Sequence, residues 1–180
     1  MSKESSKLRS ILTPEELSYF QGDGIDIGCG DDPIFPGCYT FDSCDGDANH
    51  IKRYLKRNYD WVYSSHCLEH MDDPYDALKQ WASLVKPKGY LIFTVPDEDL
   101  YEQGHFPSIY NPSHRHTFTI AKRKSWSPVS VNVLDLAHSL DGFDVVKVEL
   151  QDIGYDRNLK DTDQTQGPAM AQIMAVLRKR

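Results

Sequence analysis

The sequence lacks an excess of positive charge: 27 acidic residues against 20 basic ones leave a formal net charge of -7. That balance argues against a large basic face for gripping nucleic acid, and no nucleic-acid partner is expected. The one basic cluster, Lys52-Arg53 and Lys56-Arg57, repeats at i, i+4 and reads as a solvated helix face. Paired cysteines are also missing. Cys29, Cys38, Cys44 and Cys67 make no Cys-x-x-Cys pair and no metal-finger spacing, so reduced thiols in a cytoplasmic protein are expected. No apolar run reaches the length of a membrane span, and the opening MSKESSKLRS is polar. Neither membrane insertion nor an apolar leader is expected. There is no internal repeat, and 180 residues suit a single domain, residues 1–180, with a real core.

The most informative absence lies in GIDIGCGDDPIFPGCYTFD, Gly24 to Asp42. An apolar strand, Ile25 to Ile27, runs into Gly28-Cys29-Gly30, as in a nucleotide-binding turn. The third glycine of a dinucleotide fingerprint is replaced by Pro33, and Pro36-Gly37 follows where a helix would run. A pyrophosphate needs a helix N-terminus aimed at it, so this loop suits a nucleoside without phosphates at that spot. Cys29 reads as a small residue filling a tight turn. Asp42 ends a second apolar run, where a carboxylate can accept both ribose hydroxyls; the competing reading is a surface turn. Asp47 in GDAN can reach an adenine amino group beside the Ala48 N–H, or simply close an Asx turn.

The rest of the chain alternates apolar runs with helical patterns. Residues 1–10 are expected to form a mobile tail, and Thr13-Pro14-Glu15-Glu16 is a capping box that opens a helix over Pro14 to Phe20. Tyr59 to Ser65 and Tyr90 to Pro96 are buried-type strands. Between them Asp73-Pro74 caps a helix with Ala77, Leu78, Trp81, Ala82 and Val85 on one face. Continuous apolar runs of this kind belong to parallel strands covered on both faces. A further helix is expected from Val129 to Leu140. Phe143 to Leu150 and Ala171 to Lys179 read as strands whose link has no amphipathic pattern, so they should pair antiparallel. The fold class is therefore α/β, a Rossmann-like and mostly parallel sheet with a reversed C-terminal strand and the first crossover helix shortened or absent.

Together, IDIGCG, FD, GDA and DWVYSSHCLEHMDDPYDALKQWASLVKPKGYLIFTVPD, with the final AQIMAVLRK, resemble a class I S-adenosylmethionine-dependent methyltransferase. The likeness spans roughly residues 22 to 150 and returns for the last strand. It is similar to the subgroup acting on small molecules, lipids and glycans. The resemblance implies a transferase that uses S-adenosyl-L-methionine, with Asp26, Gly28, Cys29 and Gly30 bordering its methionine part. Asp42 would then hold the ribose, Asp47 and Ala48 the adenine, and Ser65 and His66 would lie near the reactive methyl. Two departures from the family pattern stand out: too few residues between Gly30 and Asp42 for the first crossover helix, and scarcely a third strand around Cys44 to Gly46.

Residues 97–127 form a long segment rich in His, Pro and aromatics, expected to be a substrate lid over the carboxyl ends of the strands. Transfer to oxygen needs a group to take the hydroxyl proton, and His114 or His116 is the candidate base. Arg115, with His105 and Tyr110, is the candidate holder of a small polar, sugar- or metabolite-type methyl acceptor. A metal held by His105, His114 and His116 would lack a carboxylate at helical spacing, so no metal is expected. Glu69 and His70 read as loop anchors. Two rivals remain: a module that binds the cofactor without catalysis, and a nicotinamide-dependent dehydrogenase, which the missing third glycine disfavours.

Overall fold

The computed structural model describes residues 3–120 and 122–180. Its centre is a six-stranded sheet built from β1 (Gly24–Ile27), β2 (Tyr39–Phe41), β3 (Tyr59–Ser65), β4 (Val85–Pro96), β7 (Phe143–Gln151) and β8 (Gln172–Lys179), in the order β2-β1-β3-β4-β8-β7. The first four strands run parallel and β8 runs antiparallel to both β4 and β7. The link from β7 to β8 contains only a 3-10 turn, Gln164–Gln166. Without a crossover helix the chain can only return alongside itself, so the reversal follows from the sequence pattern. Two short strands, β5 (Thr117–Thr119) and β6 (Ser130–Asn132), pair parallel outside the main sheet. No helix among the described residues is long and apolar enough to cross a membrane.

Interior strand β3 is buried along nearly its whole length, as is β4 from Leu91 onward. One face is covered by α3 (Pro74–Ala82), which buries Ala77, Leu78 and Trp81, and by α4 (Val133–His138), which buries Val133, Leu136 and Ala137. Asp73 starts α3 by accepting the N–H groups of Tyr75 and Asp76. Asn132 starts α4 in the same way through Leu134 and Asp135. That cap corrects the expected helix over Val129 to Leu140: the residues before it lead into β6, where Ser130–Asn132 pair with Thr117–Thr119.

On the opposite face, as the sequence pattern implies, no helix joins β1 to β2; the connection is a turn-rich loop with Ile34 wholly buried. The face that a crossover helix would cover is closed instead by the N-terminus. The expected mobile tail is helix α1 (Glu4–Ile11) over its described part, followed by α2 (Pro14–Ser18) with its capping box formed. Leu8 packs with Tyr19, Phe20, Ile34, Trp61, Tyr63, Ile92 and Met174 in one apolar cluster. Polar bonds lock α1 to the loop: Ser6 N–H donates to Asp32 Oδ2 at 2.9 Å, and the Arg9 guanidinium donates to the carbonyls of Pro33 and Ile34. Burying a leucine such as Leu8 contributes about 1.5–3 kcal/mol, while a tail in water contributes nothing, so the sheet's need for cover orders the segment. Close packing of this kind also explains Gly24, where an added Cβ would lie 1.7 Å from the Trp61 ring.

Candidate active site

The carboxyl ends of β1 and β3, the loop after β4 and the start of α1 surround a cleft of about 200 Å³. Its floor is the glycine turn. Gly28 and Gly30 have φ of +77° and +53°, a region that other L-residues adopt only at a cost. Gly28 is doubly constrained, since a Cβ there would lie 2.6 Å from Cys67 Sγ. The turn is pinned by two bonds: Gly28 N–H donates to the Phe41 carbonyl at 2.7 Å, and Gly30 N–H donates to Asp42 Oδ2 at 2.7 Å. Asp42 thus sits beside the turn despite the absent helix. Burial alone would raise its pKa, but the bonds from Gly30 and Ser43 outweigh this and hold it below the usual carboxylate value.

Asp26 lies under the turn, not in the cleft. It is fully buried, Oδ2 accepts the Ile34 N–H at 2.8 Å, and Oδ1 accepts nothing from the described residues. Burial, helped by the charges of Asp32 and Asp42, pushes its carboxyl up to about 8. Cys29 lines the cleft, and burial followed by the charges of Asp26 and Asp42 pushes its thiol up to about 12. It is no nucleophile at neutral pH. Asp47 is exposed and accepts the N–H and side-chain amide of Asn49, so it caps the 3-10 turn Ala48–Arg53. The Ala48 carbonyl accepts from Trp81 Nε1 at 2.9 Å.

The opposite wall belongs to β3's carboxyl end and the segment after β4. Ser65 and His66 both line the cleft, and His66 has a left-handed φ of +49°. The chain then turns through Leu68–His70, whose Glu69 is fully buried. The expected anchoring by Glu69 is made by its backbone: its carbonyl accepts the N–H groups of Arg115 and His116 at 2.8 and 3.2 Å. This bond brings His114 over the cleft. His114 is 5% exposed, its Nδ1 lies 2.6 Å from Glu102 Oε1, and its Nε2 lies 3.9 Å from Glu69 Oε1. Tyr101 stacks on the ring at a centroid distance of 5.2 Å. Burial pulls the His114 pKa down, but the Glu102 bond and the charges of Glu69 and Glu102 prevail and leave it raised.

The structure separates the other expected members of the acceptor site. His116 Nε2 faces the Asp72 carbonyl at 3.3 Å, outside the cleft lining, so it is not placed to serve as a base there. Arg115 is exposed and paired with Asp72. His105 is exposed, 3.1 Å from Asp161. Tyr110 packs edge-on against Tyr101, one step behind the cleft wall. Alternate residues of an extended segment point opposite ways, so pinning His114 inward turns Arg115 outward; His116 is held aside by its own contact with the Asp72 carbonyl. The trio His105, His114 and His116 is not assembled. A different group is: donor atoms of Glu69, His70 and His114 lie within 4.8 Å of one another. Glu102, Tyr101 and Asn111 also belong to this wall and carry no sequence signal, because only the fold of residues 97–114 returns them to β3.

A family model described as a methyltransferase domain matches residues 19–148. No curated protein matches. Among solved structures, the chain is similar to a SAM-dependent methyltransferase and possible histamine N-methyltransferase from Thermotoga maritima. Identity is 18%, the TM-score is 0.57, and the match covers 99% of this chain and 88% of that one. A SAM-dependent methyltransferase from Archaeoglobus fulgidus gives 18% identity and a TM-score of 0.58 over 98% of this chain and 93% of that one. The plantazolicin methyltransferase BamL, solved with a triazolic desmethylPZN analog and SAH, gives 13% identity and a TM-score of 0.56, covering 98% and 86% respectively. Likeness at these identities concerns the fold.

Proposed function

The chain belongs to the methyltransferase-domain family, and we propose that it uses S-adenosylmethionine to methylate a hydroxyl of a small polar acceptor entering between the glycine turn and His114. The observation that carries this reading is the buried His114–Glu102 pair facing that turn across the cleft. S-adenosylmethionine, when bound, supplies an electrophilic methyl on a sulfonium. The residues present fit such a group: Glu4, Asp31, Asp32 and Glu69 give the cleft acidic walls suited to a cation. Asp42 keeps a free lone pair on Oδ2 for a ribose hydroxyl beside Gly28 and Gly30. Ser65 and His66 would border the methyl.

Within this reading Glu102 holds His114 by its Nδ1–H and leaves Nε2 to receive the acceptor's hydroxyl proton. The imidazolium so formed is balanced by Glu69 and Glu102. Residues 97–127 act as the acceptor-side cover. Four free cysteines suit a reducing, cytoplasmic setting. The test is product analysis by mass spectrometry and NMR with a panel of sugars and hydroxylated metabolites, following SAH release. His114→Gln should keep SAH affinity within about threefold and lower turnover by roughly 100-fold or more. Unchanged turnover in His114→Gln, or methylation confined to nitrogen, would refute the proposal.

A further inference from the structure

Three imidazoles gather around one buried carboxylate at the carboxyl end of β3, and their outer nitrogens are already committed. His114 Nδ1 is taken by Glu102 at 2.6 Å. His70 Nδ1 lies 3.2 Å from the Ser113 carbonyl, and from Ser113 Oγ, which itself donates to Asn111. His66 Nε2 lies 2.7 Å from Gln172 Oε1, and Gln172 spends its amide N–H on Gln151. Each of these bonds occupies the outer nitrogen of its ring and leaves the other nitrogen without a hydrogen-bond partner among the described residues.

The free nitrogens of His66 and His114 face Glu69. His66 Nδ1 lies 3.6 Å and His114 Nε2 3.9 Å from Glu69 Oε1, and His70 offers a donor atom in the same group. Glu69 is 0% exposed, and neither of its oxygens accepts a hydrogen bond from any described residue. A buried carboxylate with both oxygens unpartnered costs free energy unless something positive lies between it and the nearby nitrogens. One added proton satisfies a single nitrogen–oxygen contact and leaves the second Glu69 oxygen unmet. A divalent ion satisfies two nitrogens and the carboxylate together.

We propose that Glu69, His70 and His114 bind one divalent transition-metal ion on the cleft side, with His66 flanking it. Metal–ligand bonds of about 2.1 Å place ligand atoms about 3.4 Å apart, so the separation of 3.9 Å between His114 and Glu69 closes with small side-chain adjustments. The bonds from Glu102 and Ser113 are the outer-shell contacts that orient ligating histidines. Two imidazoles and one carboxylate favour Zn2+ or Mn2+ over Mg2+, which prefers oxygen ligands and retained water.

The role of the ion, unlike its binding, rests on the hydroxyl-methylation reading. With the ion bound, His114 is a ligand and no longer the base described above; the ion would hold the acceptor oxygen and lower the pKa of its hydroxyl, and the proton would leave to water at the cleft mouth. The oxygen lone pair forms the new O–CH3 bond while the C–S electron pair stays on sulfur.

The 180-residue chain, stripped with a chelator and dialysed, is titrated with ZnCl2, MnCl2 and MgCl2 by calorimetry, with metal content read by mass spectrometry. One Zn2+ or Mn2+ per chain is expected, at least tenfold tighter than Mg2+. Glu69→Gln and His70→Ala should each weaken this at least tenfold while the circular dichroism spectrum and the cooperativity of the thermal melt, which report an intact fold, stay unchanged. His105→Ala, which removes the exposed pair with Asp161, should leave ion binding unchanged. Absence of stoichiometric binding, binding that survives both cluster variants, or binding abolished by His105→Ala overturns the proposal. Ion binding without any hydroxyl methylation would sink the acceptor reading alone, and hydroxyl methylation without ion binding would sink the site alone.

Discussion

Replacing Asp26 by Asn should change how the stability of the cofactor-free protein depends on pH. Asp26 is fully buried with one oxygen unpartnered, and its carboxyl is pushed from 3.8 to about 8, chiefly by burial. The folded chain therefore holds a proton that the unfolded chain releases above pH 4. Stability from this group is fully present below the unfolded pKa and is lost as pH rises through the folded one. The slope is about 1.4 kcal/mol per pH unit, hence roughly 4 kcal/mol between pH 5 and pH 8 as an upper bound. For a chain of this size that is on the order of 10 °C in Tm. Asn cannot ionise, yet its carbonyl can still accept the Ile34 N–H that Asp26 accepts at 2.8 Å. Melts of both proteins from pH 5 to 8.5 should give a difference curve in which the wild type loses ground to Asp26→Asn as pH rises. Other titrating groups, His114 among them, are present in both and cancel. A difference that stays flat to within about 2 °C would refute a neutral, buried Asp26.

Two further outcomes test the fold and the cofactor site. Leu8→Ala removes a wholly buried side chain from the cluster that closes the open face of the sheet, and should cost about 2–5 kcal/mol in chemical denaturation; a loss under 0.5 kcal/mol would mean that α1 is not part of the folded core. Asp42→Ala removes the carboxylate that holds Gly30 N–H and would take the ribose, so calorimetry with S-adenosylmethionine should show affinity lower by about 10–100-fold, and affinity within twofold of wild type would remove Asp42 from the site.

Much of the framework was legible from local pattern alone. The apolar runs of β3 and β4, the Asp73 and Thr13 caps, the Gly28–Gly30 turn with its acid at Asp42, and the reversed pair β7–β8 depend on periodicity, turn chemistry and link length. These act within a few residues or one connection, so the residue string carries them. What covers the sheet was not local. The polar stretch Glu4–Ile11 has one wholly buried apolar anchor, Leu8, and becomes helix α1 because the shortened β1–β2 connection leaves an apolar face bare. The site divides in the same way. The Glu69-His70 pair is adjacent in sequence, but its meeting with His114, and His114's bond to Glu102, rest on the Glu69 carbonyl capturing Arg115 and His116 from a loop some 45 residues on. That capture turns one histidine of HRH inward and the other out, so the sequence determined which residues could do chemistry, and long-range backbone bonding decided which of them stand together.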